Sequence, residues 1–139
     1  PSSQAFLECD VDIRLLTGAE IISGSTRLKA GTATKMTLNI LSSSVMIKLG
    51  KVYSNRMVDV SASNSKLLDR SLRIIQDLTD LDKTESFRAL KKAKGSVKLA
   101  LLTVLANIDI AEAIRQLEAN KGNLRKALRN INLTVISRN

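Results

Sequence analysis

An internal repeat in the second half of the chain constrains the fold more than any other feature of the sequence. The segment LDKTESFRALKKAKGSVKLAL (81–101) aligns without gaps with IDIAEAIRQLEANKGNLRKAL (108–128). Each copy has the pattern helix, glycine turn, helix, and Gly95 and Gly122 at the turns can adopt the left-handed backbone conformation. A single helical hairpin cannot bury its apolar face, so the two copies predict a small helical bundle.

Residues with capping side chains strengthen this prediction. Ser96 and Asn123 follow the two glycines and are suited to cap the next helix of each copy. Another helix is predicted from about residue 63 to residue 78, where apolar residues recur at helical spacing. Ser63 is its predicted N-cap.

Residues 32–49 predict a longer helix with almost no polar face. Its only charged residues are Lys35 and Lys48, a pattern typical of a buried helix, and Gly50 is expected to end it. Before it, residues 11–18 alternate apolar and polar and predict one β-strand. A lone strand cannot satisfy its own hydrogen-bond ladder, so this strand either pairs with something else or is part of a larger fold.

Composition excludes several classes of site. The chain has no histidine, which excludes Ser-His and Cys-His nucleophilic sites and His-ligated metals within it. The single cysteine, Cys9, cannot form an internal disulfide or a thiolate metal site, and it favours a reducing compartment. With no segment long enough to span a membrane and no visible signal peptide, we expect a cytoplasmic protein.

The net charge of +9 raises nucleic acid as a possible partner. However, the basic residues are dispersed apart from KKAK at 91–94, and they have no aromatic neighbours on which bases could stack. A solvated basic surface is therefore favoured over a nucleic-acid interface.

The segment GSTRLKAGT (24–32) combines glycines, hydroxyls and cations just before the predicted buried helix. A dianionic phosphate needs free backbone amides, hydroxyl donors and a cation, and the start of a helix supplies the amides. The spacing lacks the Gly-Lys-Ser/Thr of a Walker loop, so no nucleotide is expected. A well-capped helix with surface charges explains this composition about as well. The residues able to contact a phosphate are Ser23, Ser25, Thr26, Arg27, Lys29 and Thr32.

Several longer elements are more specific than this composition. They are GSTRLKAGTA after residue 23, GKVY at 50–53, MVDV at 57–60 and the N.KL..R pattern that begins at Asn64. Through them, residues 10–78 resemble the C-terminal half of the N-acetylmuramic acid 6-phosphate etherases. The repeat is similar to the helical tail of those enzymes, which looks like a UBA-type unit. Glucokinase regulatory protein shares the loop pattern more distantly, but not the GKVY and MVDV stretches.

The resemblance implies an α/β fold. Residues 1–79 would form the C-terminal part of a sugar isomerase (SIS) α/β/α sandwich, with 11–18 as a late strand of its parallel sheet. Residues 80–130 would form a small all-α UBA-like bundle and 131–139 a terminal extension, so this chain would itself be predominantly α.

The resemblance also implies an activity, that of a cytoplasmic homodimeric lyase of bacterial cell-wall recycling. Such an enzyme cleaves the lactyl ether of N-acetylmuramic acid 6-phosphate to N-acetylglucosamine 6-phosphate and D-lactate, without metal, nucleotide or other cofactor. The implied partners are an amino sugar 6-phosphate and a second subunit, with neither nucleic acid nor membrane.

The sites follow by the same resemblance. The candidates for sugar-phosphate contacts in this chain are Glu20, Ser23, Ser25, Thr26, Arg27 and Lys29. The phosphate loop and the two acid/base glutamates of the etherases match no segment here, so no catalytic residue is expected and the chain alone should be inactive. The alternatives are a non-catalytic sugar-phosphate-binding regulator, a helical protein-interaction module, or a basic helical protein that binds nucleic acid or a membrane surface.

Overall fold

The computed structural model describes the backbone of residues 8–136 and the side chains of residues 8–132. This part of the chain is mostly helical, as predicted, and divides into two compact units, one up to Ser43 and one from Ser44. Its elements are α1 Lys29–Lys48, β1 Val52–Tyr53, β2 Arg56–Met57, α2 Ser65–Leu78, α3 Lys83–Lys92, α4 Val97–Ala106, α5 Ile110–Ala119 and α6 Leu124–Ile136.

Helix α1 begins three residues earlier than the sequence predicts and ends where expected. Gly50 has a φ of +69°, the left-handed conformation that glycine adopts just past a helix end. Its amide donates to the carbonyl of Ile47 at 3.0 Å, and the amide of Lys51 donates to that of Met46 at 3.0 Å. Together these two bonds form the Schellman pattern, which satisfies carbonyls at the end of the helix.

The prediction that this helix is buried is wrong for the chain as it stands. No residue of α1 is buried, although it lies in an apolar stretch. The exposed large apolar residues of this helix each have between 46% and 62% of their surface open to solvent; they are Met36, Leu38, Ile40, Leu41, Val45 and Ile47. A helix with so few charges and apolar residues on nearly every side needs other elements around it, and the described residues do not supply enough of them to cover this one.

The predicted strand at 11–18 is also wrong for this chain. Residues 11–18 form no ladder in the structure, and Val11 and Leu16 are 72% and 86% exposed. The physical reason resembles that for α1, because a strand exists only when a neighbouring strand completes its hydrogen bonds.

The second unit is built around one apolar core. Buried residues from α2 to α6 and from the segment after β2 meet in it, including Val58, Ile75, Leu90, Leu101 and Leu124. Helix α2 therefore shares its core with the repeat, although the predicted domains separate them between residues 79 and 80. That boundary concerns the domain organisation of the whole protein and stays a prediction.

The two copies of the repeat form equivalent helical hairpins, α3–α4 and α5–α6. Asp82 and Asp109 cap the first helix of each copy, accepting from the amides of Glu85 and Glu112, both at 2.8 Å. In the first copy the carboxylate of Glu85 also accepts from the amide of Asp82 at 3.0 Å, which completes a capping box.

The turns of the repeat confirm the predicted conformations. Gly95 and Gly122 have φ values of +83° and +70°. Ser96 accepts from the amide of Leu99 at 3.4 Å, and Asn123 accepts from the amide of Lys126 at 3.1 Å. Local side-chain chemistry therefore sets the start of the second helix in both copies.

Helix α2 begins later than predicted, with a different cap. Its N-cap is Asn64, whose side chain accepts from the amide of Leu67 at 2.8 Å, so the prediction of Ser63 is wrong. Asn64 and serine are equally good caps, and the choice depends on where the preceding backbone enters the helix. At the other end of the unit, α6 runs to Ile136, into the predicted extension at 131–139; residues 137–139 lie outside the described residues.

The segment between α1 and α2 is fastened to the first repeat. Strands β1 and β2 pair antiparallel, and then Ser61 forms an isolated bridge with Ser96. Asp59 forms ion pairs with Lys51 at 2.5 Å and Lys98 at 2.9 Å. The hydrogen bond from Lys51, followed by that from Lys98, holds the pKa of Asp59 below its usual range.

Among the glycines of the chain, Gly50 should tolerate replacement by alanine least. A Cβ added there would lie 2.7 Å from Cγ of Asn123, whereas at Gly122 the nearest atom would be Nζ of Lys98 at 3.8 Å. We expect Gly122→Ala to cost about 1 kcal/mol from backbone strain alone, and Gly50→Ala to cost about 2–3 kcal/mol because Asn123 must also move. Urea denaturation of the two variants measures both changes. Equal losses for the two would contradict the packing of Gly50 against Asn123.

Candidate functional site

Residues 22–28, which include most of the candidate sugar-phosphate contacts, form a series of tight turns that leads into α1. The amide of Ser25 donates to the carbonyl of Ile22 at 3.0 Å, and the amide of Leu28 donates to that of Ser25 at 3.2 Å. Gly24, with a φ of +77°, allows the chain to reverse between them. Most of the candidate side chains are exposed (Ser23, Thr26, Arg27 and Lys29), while Ser25 is half-buried.

Glu20 lies across the start of α1 and caps it. One carboxylate oxygen accepts from the amide of Lys29 and the other from the amide of Ala30, each at 2.9 Å. These bonds, that from Ala30 first, hold the pKa of Glu20 below its usual range. A carboxylate is well placed there because the helix dipole is positive at this end. In this structure Glu20 orders the loop through its backbone.

The following amides of the helix are occupied as well. The amide of Gly31 donates to the carbonyl of Thr26 at 2.8 Å, and the amide of Thr32 donates to that of Leu28 at 2.9 Å. The expectation of free amides at the start of this helix is therefore wrong, because the carboxylate of Glu20 and the loop carbonyls accept from them. An anion at this loop would have to bind mainly through side chains.

Those side chains include a cation, Lys35, that is outside the predicted set of contacts. Lys35 lines the same shallow groove as Thr26, together with Gly31 and Thr34. A Cβ at position 31 would lie 3.3 Å from the carbonyl oxygen of Thr26, so glycine permits the close approach of the loop to the helix. Helical spacing was a signal for Lys35, because residues 31, 34 and 35 follow one face of α1.

Other kinds of site are not found in the described part of the chain. Across residues 8–136, no three carboxylate, thiol or imidazole side chains gather as a metal ion would require. None of the helices there combines the length and apolar character needed to cross a membrane.

Known proteins match most of the chain. It is 68% identical over 102 residues to an N-acetylmuramic acid 6-phosphate etherase of Synechococcus sp. (strain CC9902), covering 73% of this chain and 32% of that protein. A protein of the same name from Synechococcus sp. (strain CC9605) is 64% identical over 106 residues, 76% of this chain and 34% of that protein. A third protein of that name, from Gloeothece citriformis, is 64% identical over 102 residues, covering 73% of this chain and 33% of that protein. These matches confirm the predicted resemblance.

The matches also define how much of such a protein this chain represents. The chain spans about one third of the length of the etherases that it matches. Residues 54–98 match the family model of the C-terminal lid domain of glucokinase regulatory protein. That range contains β2, α2 and α3 and ends at the start of α4, so it lies in the second unit. It includes MVDV at 57–60 and does not include the loop before α1, whereas the sequence had suggested a likeness in the loop and none at MVDV.

The cap formed by Glu20 predicts a pH-dependent loop. The pKa of Glu20 in the folded chain is lower than its reference value of 4.5. Its contribution to the stability of the folded loop is therefore complete above pH 4.5 and is lost as the pH falls through the folded pKa. In an NMR titration, the amide protons of Lys29 and Ala30 should shift with a midpoint below 4.5. Glu20→Gln should abolish this titration, and the exposed-carboxylate control Asp10→Asn should preserve it. A midpoint at or above 4.5 would refute the cap.

Proposed function

We propose that this chain is part of an N-acetylmuramic acid 6-phosphate etherase, a carbon–oxygen lyase. The observation that carries the proposal is the 68% identity over 102 residues to a protein of that name. The reaction releases D-lactate from the lactyl ether of the sugar phosphate and leaves N-acetylglucosamine 6-phosphate. The complete protein works as a cytoplasmic homodimer in cell-wall recycling, and it requires no metal or nucleotide.

The reaction is an elimination followed by an addition. In the open-chain sugar, a base removes the proton from the carbon beside the aldehyde, and the bond between the next carbon and the lactyl oxygen breaks. Lactate leaves with that bonding pair, after protonation of its oxygen by an acid, and water then adds to the unsaturated aldehyde. A positioned acid and base contribute about a hundredfold to ten-thousandfold each to such steps. We place both carboxyl groups outside this chain, which is inactive alone.

The first unit supplies a binding segment of a SIS sandwich. Exposed apolar side chains along α1 and the segment 11–18, which alternates apolar and polar residues but forms no strand here, support this assignment. In the complete protein, the helix is covered by neighbouring layers and 11–18 joins a parallel sheet, which removes apolar surface from water. The helical repeat forms the UBA-like tail of the same protein.

The loop binds the sugar phosphate through side chains. Arg27 and Lys29 are exposed cations, and Thr26 offers a hydroxyl next to Lys35 in one groove. Ser23 and Ser25 add hydroxyls on the preceding turns. Glu20 positions the loop, since its carboxylate is already held by two helix amides. A phosphate surrounded by charged donors forms short hydrogen bonds that are stronger than neutral ones.

Release of D-lactate tests the activity. The complete gene product, incubated with N-acetylmuramic acid 6-phosphate, should release equal amounts of D-lactate and N-acetylglucosamine 6-phosphate, measured by coupled enzymatic assay and mass spectrometry. The 139-residue chain alone should release none. If the complete protein binds the sugar phosphate without turnover, the regulator alternative takes the place of this proposal. Lactate release by the isolated chain would refute the assignment of the acid and base to other segments.

The loop assignment predicts separate effects on affinity and stability. In the complete protein, Arg27→Ala or Lys29→Ala should weaken sugar-phosphate binding about tenfold, the loss of roughly one charge-assisted hydrogen bond. The melting temperature should change little because both side chains are exposed. Lys48→Ala is the matched control, since it removes an exposed lysine at the opposite end of α1. A large drop in melting temperature with unchanged affinity would rule out the loop as a phosphate site.

A further inference from the structure

A cleft in the second unit is independent of the loop and of the proposed activity. It has a volume of about 900 Å³ and opens where the β1–β2 turn, the α2–α3 connection, the end of α4 and the start of α6 converge. This volume is within the range of pockets that hold drug-sized ligands or anchoring side chains, about 300–1,000 Å³.

The cleft has an apolar floor. Leu78, Leu81 and Val104 line it as half-buried residues, and Leu105 is 38% exposed although it is a large apolar side chain. At one side lies Tyr53, with the guanidinium of Arg125 stacked 5.5 Å from the centre of its ring. An exposed leucine near a half-buried tyrosine in a concavity favours an apolar anchor from a partner.

The polar lining of the cleft is mainly acidic. Three carboxylates, those of Asp77, Asp80 and Glu85, line it against the single guanidinium of Arg125. Asp77 is paired with Arg56 at 2.6 Å, so the two carboxylates of Asp80 and Glu85 against the one guanidinium of Arg125 leave the lining with one net negative charge. This is opposite to the sign of the chain as a whole, which carries +9. An acidic lining around an apolar floor attracts cations and repels anions, and the effect weakens with salt.

We propose that this cleft binds a cationic peptide segment of a partner protein. A large apolar side chain of that segment fills the space over Leu105, and neighbouring Lys or Arg side chains pair with Asp80 and Glu85. The combination matches helix-in-groove recognition, in which an amphipathic helix inserts apolar anchors and its charges select the partner. The repeat and α2 thereby form a peptide-binding surface.

Tyr53 provides a direct probe, because it is the only tyrosine of the chain and there is no tryptophan. The probe is a leucine–lysine peptide of about 15 residues, a length at which an isolated helix begins to be stable. Titrating the full chain with it should change the tyrosine fluorescence saturably. Two control peptides test the chemistry: one with glutamate in place of lysine and one with serine in place of leucine. Both should bind at least about tenfold more weakly.

Variants locate the binding site. Asp80→Asn should weaken binding of the basic peptide about threefold, the size expected of one exposed ion pair. Glu118→Gln makes the same charge change on the exposed side of α5 and should leave binding unchanged. Leu105→Ser should weaken binding about tenfold by removing the anchor contact. Far-UV circular dichroism of each variant checks that the helices are intact.

Several results would overturn the proposal. One is a fluorescence change that does not saturate, and another is equal binding of the acidic peptide. Equal losses of peptide affinity from Asp80→Asn and Glu118→Gln would mean that the peptide responds to the overall charge of the chain and not to this cleft. Sedimentation showing that a second copy of the chain occupies the cleft and blocks the peptide would also count against it. None of these results depends on lactate release, so the proposed activity stands or falls separately.

Discussion

The packing of α4 on four other helices holds the second unit together. Helix α4 contacts α2, α3, α5 and α6, and Ala100, Leu101 and Leu102 are fully buried in it. Full burial of one leucine side chain contributes about 1.5–3 kcal/mol. Neither hairpin of the repeat could gain this stabilisation alone, because an isolated hairpin leaves one apolar face exposed to water. The caps, the turns and the contact between Gly50 and Asn123 depend on this shared core for their geometry.

In the first unit, the controlling interaction is electrostatic. Glu20 binds the two amides that begin α1, which fixes the loop in its turns and leaves cationic side chains exposed. A carboxylate in this position lowers the positive potential of the helix end. In the proposed function, the charged contacts to a phosphate therefore come from the side chains of Arg27, Lys29 and Lys35, and the charge of Lys29 also acts on Glu20. The proposed site therefore differs from anion sites that are built mainly of backbone amides.

Those features that depend on nearby residues were predictable. The left-handed glycines at 95 and 122, the caps at Ser96 and Asn123 and the end of α1 at Gly50 all follow from chemistry within a few residues. The similarity of residues 10–78 to etherases was also readable from contiguous motifs. The cap of α2 was predicted one residue early, since serine and asparagine differ little as caps and the entry angle of the backbone decides between them.

By itself, the sequence determined the helical character, the repeat, the glycine turns and the relatives of this chain. Only the tertiary structure decided that α2 shares the core of the repeat and that Lys35 joins Thr26 in one groove. It also decided that Glu20 occupies amides that had been expected to face an anion. The apolar pattern of α1 indicates which side chains of the helix need burial, but it does not indicate which elements cover them. Periodicity and capping are local properties, whereas burial and the contents of a cleft depend on residues that meet only when distant segments pack.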